Sequence, residues 1–247
     1  MITVEDYGSV TVARLERGKV NVLDLELLHG LTDTFRSLNH AQAIVLTGAG
    51  RAFSAGVDLR RILDGGREYA AAFLPALTEA FRTVFDHPRP VVAAVNGHAI
   101  AGGCIFAAAC DLRLMSAGTI GVTELLVGVP FPPAALETLR FAVGPATARL
   151  VLTGETFSPA QALAIGLVDE VVEPEVLLDQ AIGRAEHLAR IPAATFALTK
   201  RQLRREASQR IAADGPVYAE QILDGWTSQQ ARHAVTRYLR QLAARRG

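Results

Sequence analysis

The sequence predicts an α/β core followed by a helical C-terminal region, and two observations carry this reading. Up to residue 122, short apolar runs rich in β-branched residues alternate with longer stretches whose apolar residues recur at helical spacing, joined by short connections. Beyond residue 132 the strand-like runs give out and helical periodicity takes over. The expected division is a core over residues 1–191 and a helical region over 192–247, opened by Pro192.

The elements follow in order. Ile2 and Val4, then Val10, Val12 and Leu15, predict two strands about a turn at Tyr7-Gly8-Ser9. Leu27, Leu28, Leu31, Phe35 and Leu38 stand at helical spacing. Ala43 to Thr47 reads as a short buried strand that runs into the Gly-rich segment Gly48 to Gly56. Phe73, Leu74, Leu77, Phe81, Val84 and Phe85 mark one helix face, stopped by His87-Pro88-Arg89-Pro90 because proline lacks the N–H a helix needs. The order then recurs: strand Val91 to Val95, a Gly-bearing loop, helix Gly102 to Cys110. Leu112 to Met115 and Thr119 to Val122 read as further strands.

Ser158-Pro159-Ala160-Gln161 has the residues of a helix start, and Gly166 suits that helix's end. The last helix carries Ala231, Val235, Tyr238, Leu239 and Leu242 as an apolar stripe. Such a stripe must be buried on the chain's own core or on a neighbouring subunit, and composition does not choose between them.

Composition limits the partners. Half of the 247 residues are hydrophobic, enough for one large core. The 25 basic and 25 acidic residues balance, which argues against nucleic acid or an anionic membrane as partner. Arg237, Arg240, Arg245 and Arg246 alternate with apolar positions and read as a solvated helix face. Cys104 and Cys110, six apart on a helix, point to different sides, so no disulfide is expected. No His stands at ligand spacing, so no metal is expected either. Neither a signal-like N-terminus nor an apolar run of about 18 residues occurs, and a soluble protein of the reducing cytoplasm is expected.

Two segments carry the chemistry. In Gly48 to Leu59 a buried strand enters a run of small residues, where Gly56 permits a bend closed to other residues. A main-chain N–H just past such a bend, at a helix start, is free for an anion or a polarised carbonyl. In Val95 to Cys104 a second buried strand again meets a Gly-bearing turn that opens a helix. It is not a Walker loop, and the dinucleotide fingerprint is incomplete. Alone, either segment is an ordinary turn. Together they can offer two N–H donors to one oxygen, the requirement for holding an enolate or a tetrahedral oxyanion.

Ala52-Phe53-Ser54-Ala55-Gly56-Val57-Asp58-Leu59 and Val95-Asn96-Gly97-His98-Ala99-Ile100-Ala101-Gly102-Gly103-Cys104 resemble the two signature segments of the crotonase (enoyl-CoA hydratase/isomerase) family. The likeness continues through Cys110-Asp111-Leu112, Leu152-Thr153-Gly154 and Ala162 to Val168. It implies a crotonase-like spiral of ββα units with a C-terminal helical trimerisation region, assembled as a homotrimer or dimer of trimers. The implied ligand is an acyl-CoA thioester, with coenzyme A entering as part of the substrate and no separate cofactor. Carried over by position, the oxyanion donors are the N–H groups of Val57 and Gly102. Ala55, Gly56, Ala101, Ile105 and Pro132 would border the acyl group, and Lys19, Val20 and Ser54 the coenzyme.

The hydratases of this family use two glutamates to activate water. Ile105 stands at the first of those positions and cannot move protons; Glu124 matches the second. A carboxylate between an apolar strand and Leu125-Leu126 is partly desolvated, which raises its pKa toward a general base's range. The bland alternative is a helix-start glutamate satisfied by backbone N–H groups. One glutamate facing an oxyanion hole resembles the Δ3,Δ2-enoyl-CoA isomerases. Dienoyl-CoA isomerisation is disfavoured, since the acids it needs are absent at Ile105 and Pro132. A hydratase with Glu124 alone, a weakly catalytic acyl-CoA-binding subunit, and a thioester hydrolase or decarboxylase stand as alternatives. His98, Asp58 and Asp111 are expected to fix loops and helix ends, and Ser54 has no His–Asp pairing to make it a nucleophile.

Overall fold

β1 (Ile2–Tyr7) and β2 (Val10–Leu15) form the expected hairpin, after which the chain repeats a strand–strand–helix unit three times. β3 (Ala43–Gly48) and β4 (Ala52–Ser54) precede α2 (Leu59–Phe85); α1 (Leu25–Ser37) lies before them. β5 (Val91–Val95) and β6 (His98–Ile100) precede α3 (Gly102–Ala109), and β7 (Leu112–Met115) and β8 (Ile120–Gly121) precede α4 (Pro133–Val143). The first strand of each unit enters a six-stranded sheet ordered β1-β2-β3-β5-β7-β10, where β10 is Glu170–Val171. The second enters a four-stranded sheet ordered β4-β6-β8-β9, where β9 is Thr156–Phe157. The fold is thus a spiral of ββα units. The computed structural model describes residues 1–244, with Leu242 and Ala243 by backbone alone; Arg245 and Arg246 lie outside the described residues, as does the Leu242 side chain of the expected stripe.

The larger sheet is parallel from β2 to β10, and alternate residues face opposite sides. Val10, Val12, Val45, Val92 and Ala94 pack on α7 (Leu177–Ala189) through Leu177, Ala181 and Ala185. Their neighbours Ala13, Leu46, Ala93 and Val95 join the main core with α1, α2 and α3. Both faces are covered, which is why these strands are apolar throughout rather than alternating.

The remaining helices are α5 (Thr147–Thr153), α6 (Pro159–Ala164), α8 (Ala193–Thr227) and α9 (Gln229–Ala244). α6 opens with the expected capping box between Ser158 and Gln161. α2 begins fourteen residues before its apolar stripe, at the Asp58 cap, and bends at Gly66 (φ 55°). Cys104 and Cys110 are free and buried. α9 buries Ala231 and Val235 against its own chain, where a Cβ on Gly128 would lie 3.5 Å from Ala231 Cα and 3.6 Å from Ala234 Cβ. No helix among the described residues is long and apolar enough to cross a membrane.

Candidate active site

The first loop is built on Asn21, a buried residue with φ of +52°. Its Nδ2 lies 3.1, 2.9 and 3.3 Å from the carbonyl oxygens of Ala49, Ala52 and Phe53, and its Oδ1 accepts from the Arg17 N–H at 3.0 Å. Ser54 Oγ donates to the Asn21 carbonyl at 2.7 Å and accepts from the Gly56 N–H at 3.2 Å. Leu23 then pairs with Val57 as a parallel bridge: Leu23 N–H donates to Gly56 O at 2.8 Å and Asp58 N–H to Leu23 O at 2.9 Å. In such a bridge the N–H of the central residue points the other way. The Val57 N–H accordingly has no acceptor among the described residues.

The second donor arises from a strained turn. Ala101 sits at φ 52°, ψ −123°, a conformation that costs a residue with a Cβ about 1–3 kcal/mol. It turns the chain from β6 into α3 within one residue and leaves the Gly102 N–H, first of the helix, without an acceptor among the described residues. The two loops touch. Gly56 has φ of +81°, and a Cβ there would lie 2.6 Å from Ile100 O, 2.9 Å from Ala101 Cβ and 3.5 Å from Gly102 N. The loop that carries the Val57 N–H therefore packs against the turn that carries the Gly102 N–H.

Glu124 follows β8 and opens a one-turn 3-10 helix, Glu124–Val127. Three carboxylates are buried among the described residues. Asp24 pairs with Arg17 at 2.5 Å, and Glu137 pairs with Arg140 and, at 2.5 Å, Arg210. Among the described residues Glu124 has no cation, and its Oε2 has no hydrogen-bond partner. Burial pushes its carboxyl up to about 7, against the smaller lowering effect of backbone N–H groups. The bland reading, a glutamate satisfied by its helix start, leaves one oxygen unexplained. Ile105, one turn into α3, is fully buried. Its neighbour Cys104 has its thiol pushed up by burial and, secondarily, by the Glu124 charge, which places Glu124 near the first turn of α3.

A cavity of about 980 Å³ opens beside the first loop. Val20 and Ala55 line it, with Arg51, Arg60 and His98 bringing nitrogen groups and Tyr238 and Leu239 coming from α9. Lys19 is exposed next to Val20 but does not line it. One expectation requires correction. Ser54 is fully buried and both its hydrogen bonds are internal, so it organises the loop and offers nothing to a coenzyme. Pro132 lines a separate apolar cavity of about 320 Å³ between α2, α4 and α8, together with Leu74 and Ile222.

His98 Nδ1 is 3.1 Å from Thr119 Oγ1, Asp58 caps α2, and Asp111 accepts from the Val91 N–H at 2.8 Å. These are the anchoring roles expected of them. Asn21, Arg60 and the α9 wall were not singled out from the sequence. A polar residue inside the apolar run Val20 to Leu23 is the signal that points to Asn21. Tyr238 belongs to the predicted apolar stripe, but nothing in the stripe says what it covers.

The profile of the enoyl-CoA hydratase/isomerase family matches residues 5–244. A Rhizobium meliloti protein named probable enoyl-CoA hydratase is 33% identical over 215 residues, covering 85% of this chain and 81% of its own. Human mitochondrial enoyl-CoA delta isomerase 1 is 28% identical over 251 residues, covering 98% and 83%. The crystal structure of human mitochondrial delta3-delta2-enoyl-CoA isomerase superposes with a TM-score of 0.94 at 27% identity, over 100% of this chain and 99% of that one. The fold, the paired loops and these likenesses agree: the chain is an enzyme of the enoyl-CoA hydratase/isomerase family.

Proposed function

We propose that the protein is a Δ3,Δ2-enoyl-CoA isomerase in which Glu124 is the sole acid–base group. The observation that carries this reading is the single unpaired buried carboxylate among the described residues, with isoleucine at the position where the family's hydratases hold a second glutamate. The thioester carbonyl accepts from the Val57 and Gly102 N–H groups, which acidifies the C2 proton. Glu124 removes that proton, and the electron pair of the C2–H bond forms the enolate. The C3–C4 π pair then takes the proton back from Glu124 at C4 as the enolate collapses to a C2–C3 double bond. One proton leaves and one returns, so no water is needed, and the apolar Ile105 keeps water from the pocket. A carboxyl near pH 7 suits both halves of this exchange.

The second reading, hydration, draws on relatives named as hydratases. Parallel assays of 3-enoyl-CoA isomerisation, 2-enoyl-CoA hydration and thioester hydrolysis distinguish the readings. Isomerisation as the dominant activity is expected; hydration of the 2-enoyl substrate without isomerisation of the 3-enoyl substrate overturns the proposal.

A further inference from the structure

The helix that opens at Gly102 ends beside the end of α2. α3 runs from Gly102 to Ala109, and the part of α2 beyond its bend at Gly66 ends at Phe85. The last three residues of α3 have no large side chain to lock them. All eight residues are buried; Phe106 packs edge-on against Phe81 with ring centroids 4.7 Å apart, but Ala107, Ala108 and Ala109 carry only methyl groups. Its N-terminal end rests on Ser54, and its last carbonyls need donors from elsewhere.

Arg204 of α8, buried to 3% exposure, supplies them. Nη1 donates to Ala109 O at 3.1 Å and also to Phe85 O. Nη2 donates to Asp111 Oδ1 at 2.8 Å and lies 3.5 Å from Cys110 O. The guanidinium carbon sits 4.2 Å from the Phe85 ring centroid and 5.2 Å from that of Phe141, which fixes its plane. Asp111 is held in turn by Lys200 Nζ at 2.7 Å. One planar cation thus joins the negative ends of two helix dipoles, a task for a fork of donors rather than a point charge.

We propose that Arg204 is a positioning residue of the oxyanion hole: by tying the C-terminus of α3 to the last turn of α2, it fixes the place of the Gly102 N–H at the other end of α3, relative to the Val57 N–H. The inference rests on the reading of those two groups as the oxyanion hole. It names a residue about 12 Å from Gly102 along an eight-residue helix, outside any contact with substrate.

The test uses the full chain with Arg204→Met and Arg204→Lys. Each is assayed for kcat and KM, for thermal midpoint, and for affinity toward an acyl-CoA thioester and the matching thioether, which lacks the carbonyl. Wild type is expected to prefer the thioester. Arg204→Met is expected to lose that preference and to lower kcat by about tenfold to a hundredfold, with thioether affinity kept and KM for the thioester raised only as far as the lost preference requires. Arg204→Lys, with its charge retained but only one donor tip, is expected to fall between. An unchanged thioester preference and a wild-type kcat in Arg204→Met overturn the proposal, whatever the shift in thermal midpoint. If Arg204→Met does not fold, wild-type kcat and preference in Arg204→Lys overturn it. A wild type that binds thioester and thioether equally overturns the oxyanion-hole reading instead.

Discussion

Gly103 rests directly on Ser54: a β-carbon at Gly103 would lie 2.4 Å from the Ser54 carbonyl oxygen and 2.9 Å from Ser54 Cβ. This contact sets how closely the Gly102 loop approaches the Gly56 loop. Neither side can give, because Ser54 is locked to Asn21 and Gly56. Gly103→Ala is therefore expected to push α3 off the first loop. A loss of about 1–3 kcal/mol in denaturant stability is expected from the overpacking. A fall of about a hundredfold in kcat should accompany it, from a displacement near 1 Å at Gly102. Retention of wild-type kcat by the purified variant would show that the donors tolerate that shift.

Glu124→Gln keeps the shape of the base and removes its proton transfer. Isomerase kcat is expected to drop by about 10²–10⁴-fold, with acyl-CoA affinity retained in a titration. Unchanged turnover would mean another residue is the base.

The same carboxyl predicts an unusual pH dependence of stability. Its ordinary value of 4.5 is raised to about 7 by burial, so between these values the folded state holds a proton that the unfolded state has released. The contribution is fully present below about pH 4.5 and is lost as pH rises through about 7, amounting to ~3 kcal/mol across that window. Urea denaturation of wild type and Glu124→Gln from pH 5 to 8 reads it as a difference. The gap should move in favour of the variant as pH rises; a constant gap removes the claim. Activity should run the opposite way, with kcat/KM rising to a plateau above about pH 7 as the base ionises.

On the proposed isomerase reading, Ile105 is the position that excludes water chemistry. Ile105→Glu is expected to introduce measurable hydration of 2-enoyl-CoA and to lower isomerisation, because a second carboxylate draws water to the site. An unpaired buried charge costs about 3–5 kcal/mol, so the variant should also melt lower. A folded variant with no hydration would show that the residue is only packing.

Much of this was legible in the sequence because the main sheet is buried on both faces. Val91 to Val95 and Ala43 to Thr47 could be read as strands from apolar character alone, and the helices on them from spacing. The second sheet was less legible. β4, β6, β8 and β9 have two or three residues each, too few for a period to show. The free N–H groups could be placed because a bend followed by a helix start creates them wherever it occurs. Asn21 and Arg204 could not be placed, since each acts on backbone distant in sequence: Asn21 on residues 28 to 32 positions away, Arg204 on Phe85 and Ala109. Ser54 was misread because a small polar residue in a substrate loop looks the same whether its hydroxyl faces ligand or loop.

The α9 wall gives the last prediction. Tyr238 and Leu239 line the cavity together with Val20 and Ala55, while Ala231 of the same helix packs on Gly128, at the end of the turn that begins with Glu124. One helix thus contacts both the cavity and the turn that carries Glu124. The two contacts are separable by substitution. Tyr238→Ala removes cavity wall without touching the turn, so KM for acyl-CoA is expected to rise, by about tenfold for a lost aromatic contact near 1.4 kcal/mol, with kcat kept. Ala231→Leu drives a larger side chain against Gly128, so kcat is expected to fall while KM holds. Steady-state kinetics on the two variants read the split directly. If Tyr238→Ala leaves KM unchanged, the substrate does not use the wall that α9 provides; if Ala231→Leu leaves kcat unchanged, the turn holds Glu124 without help from α9.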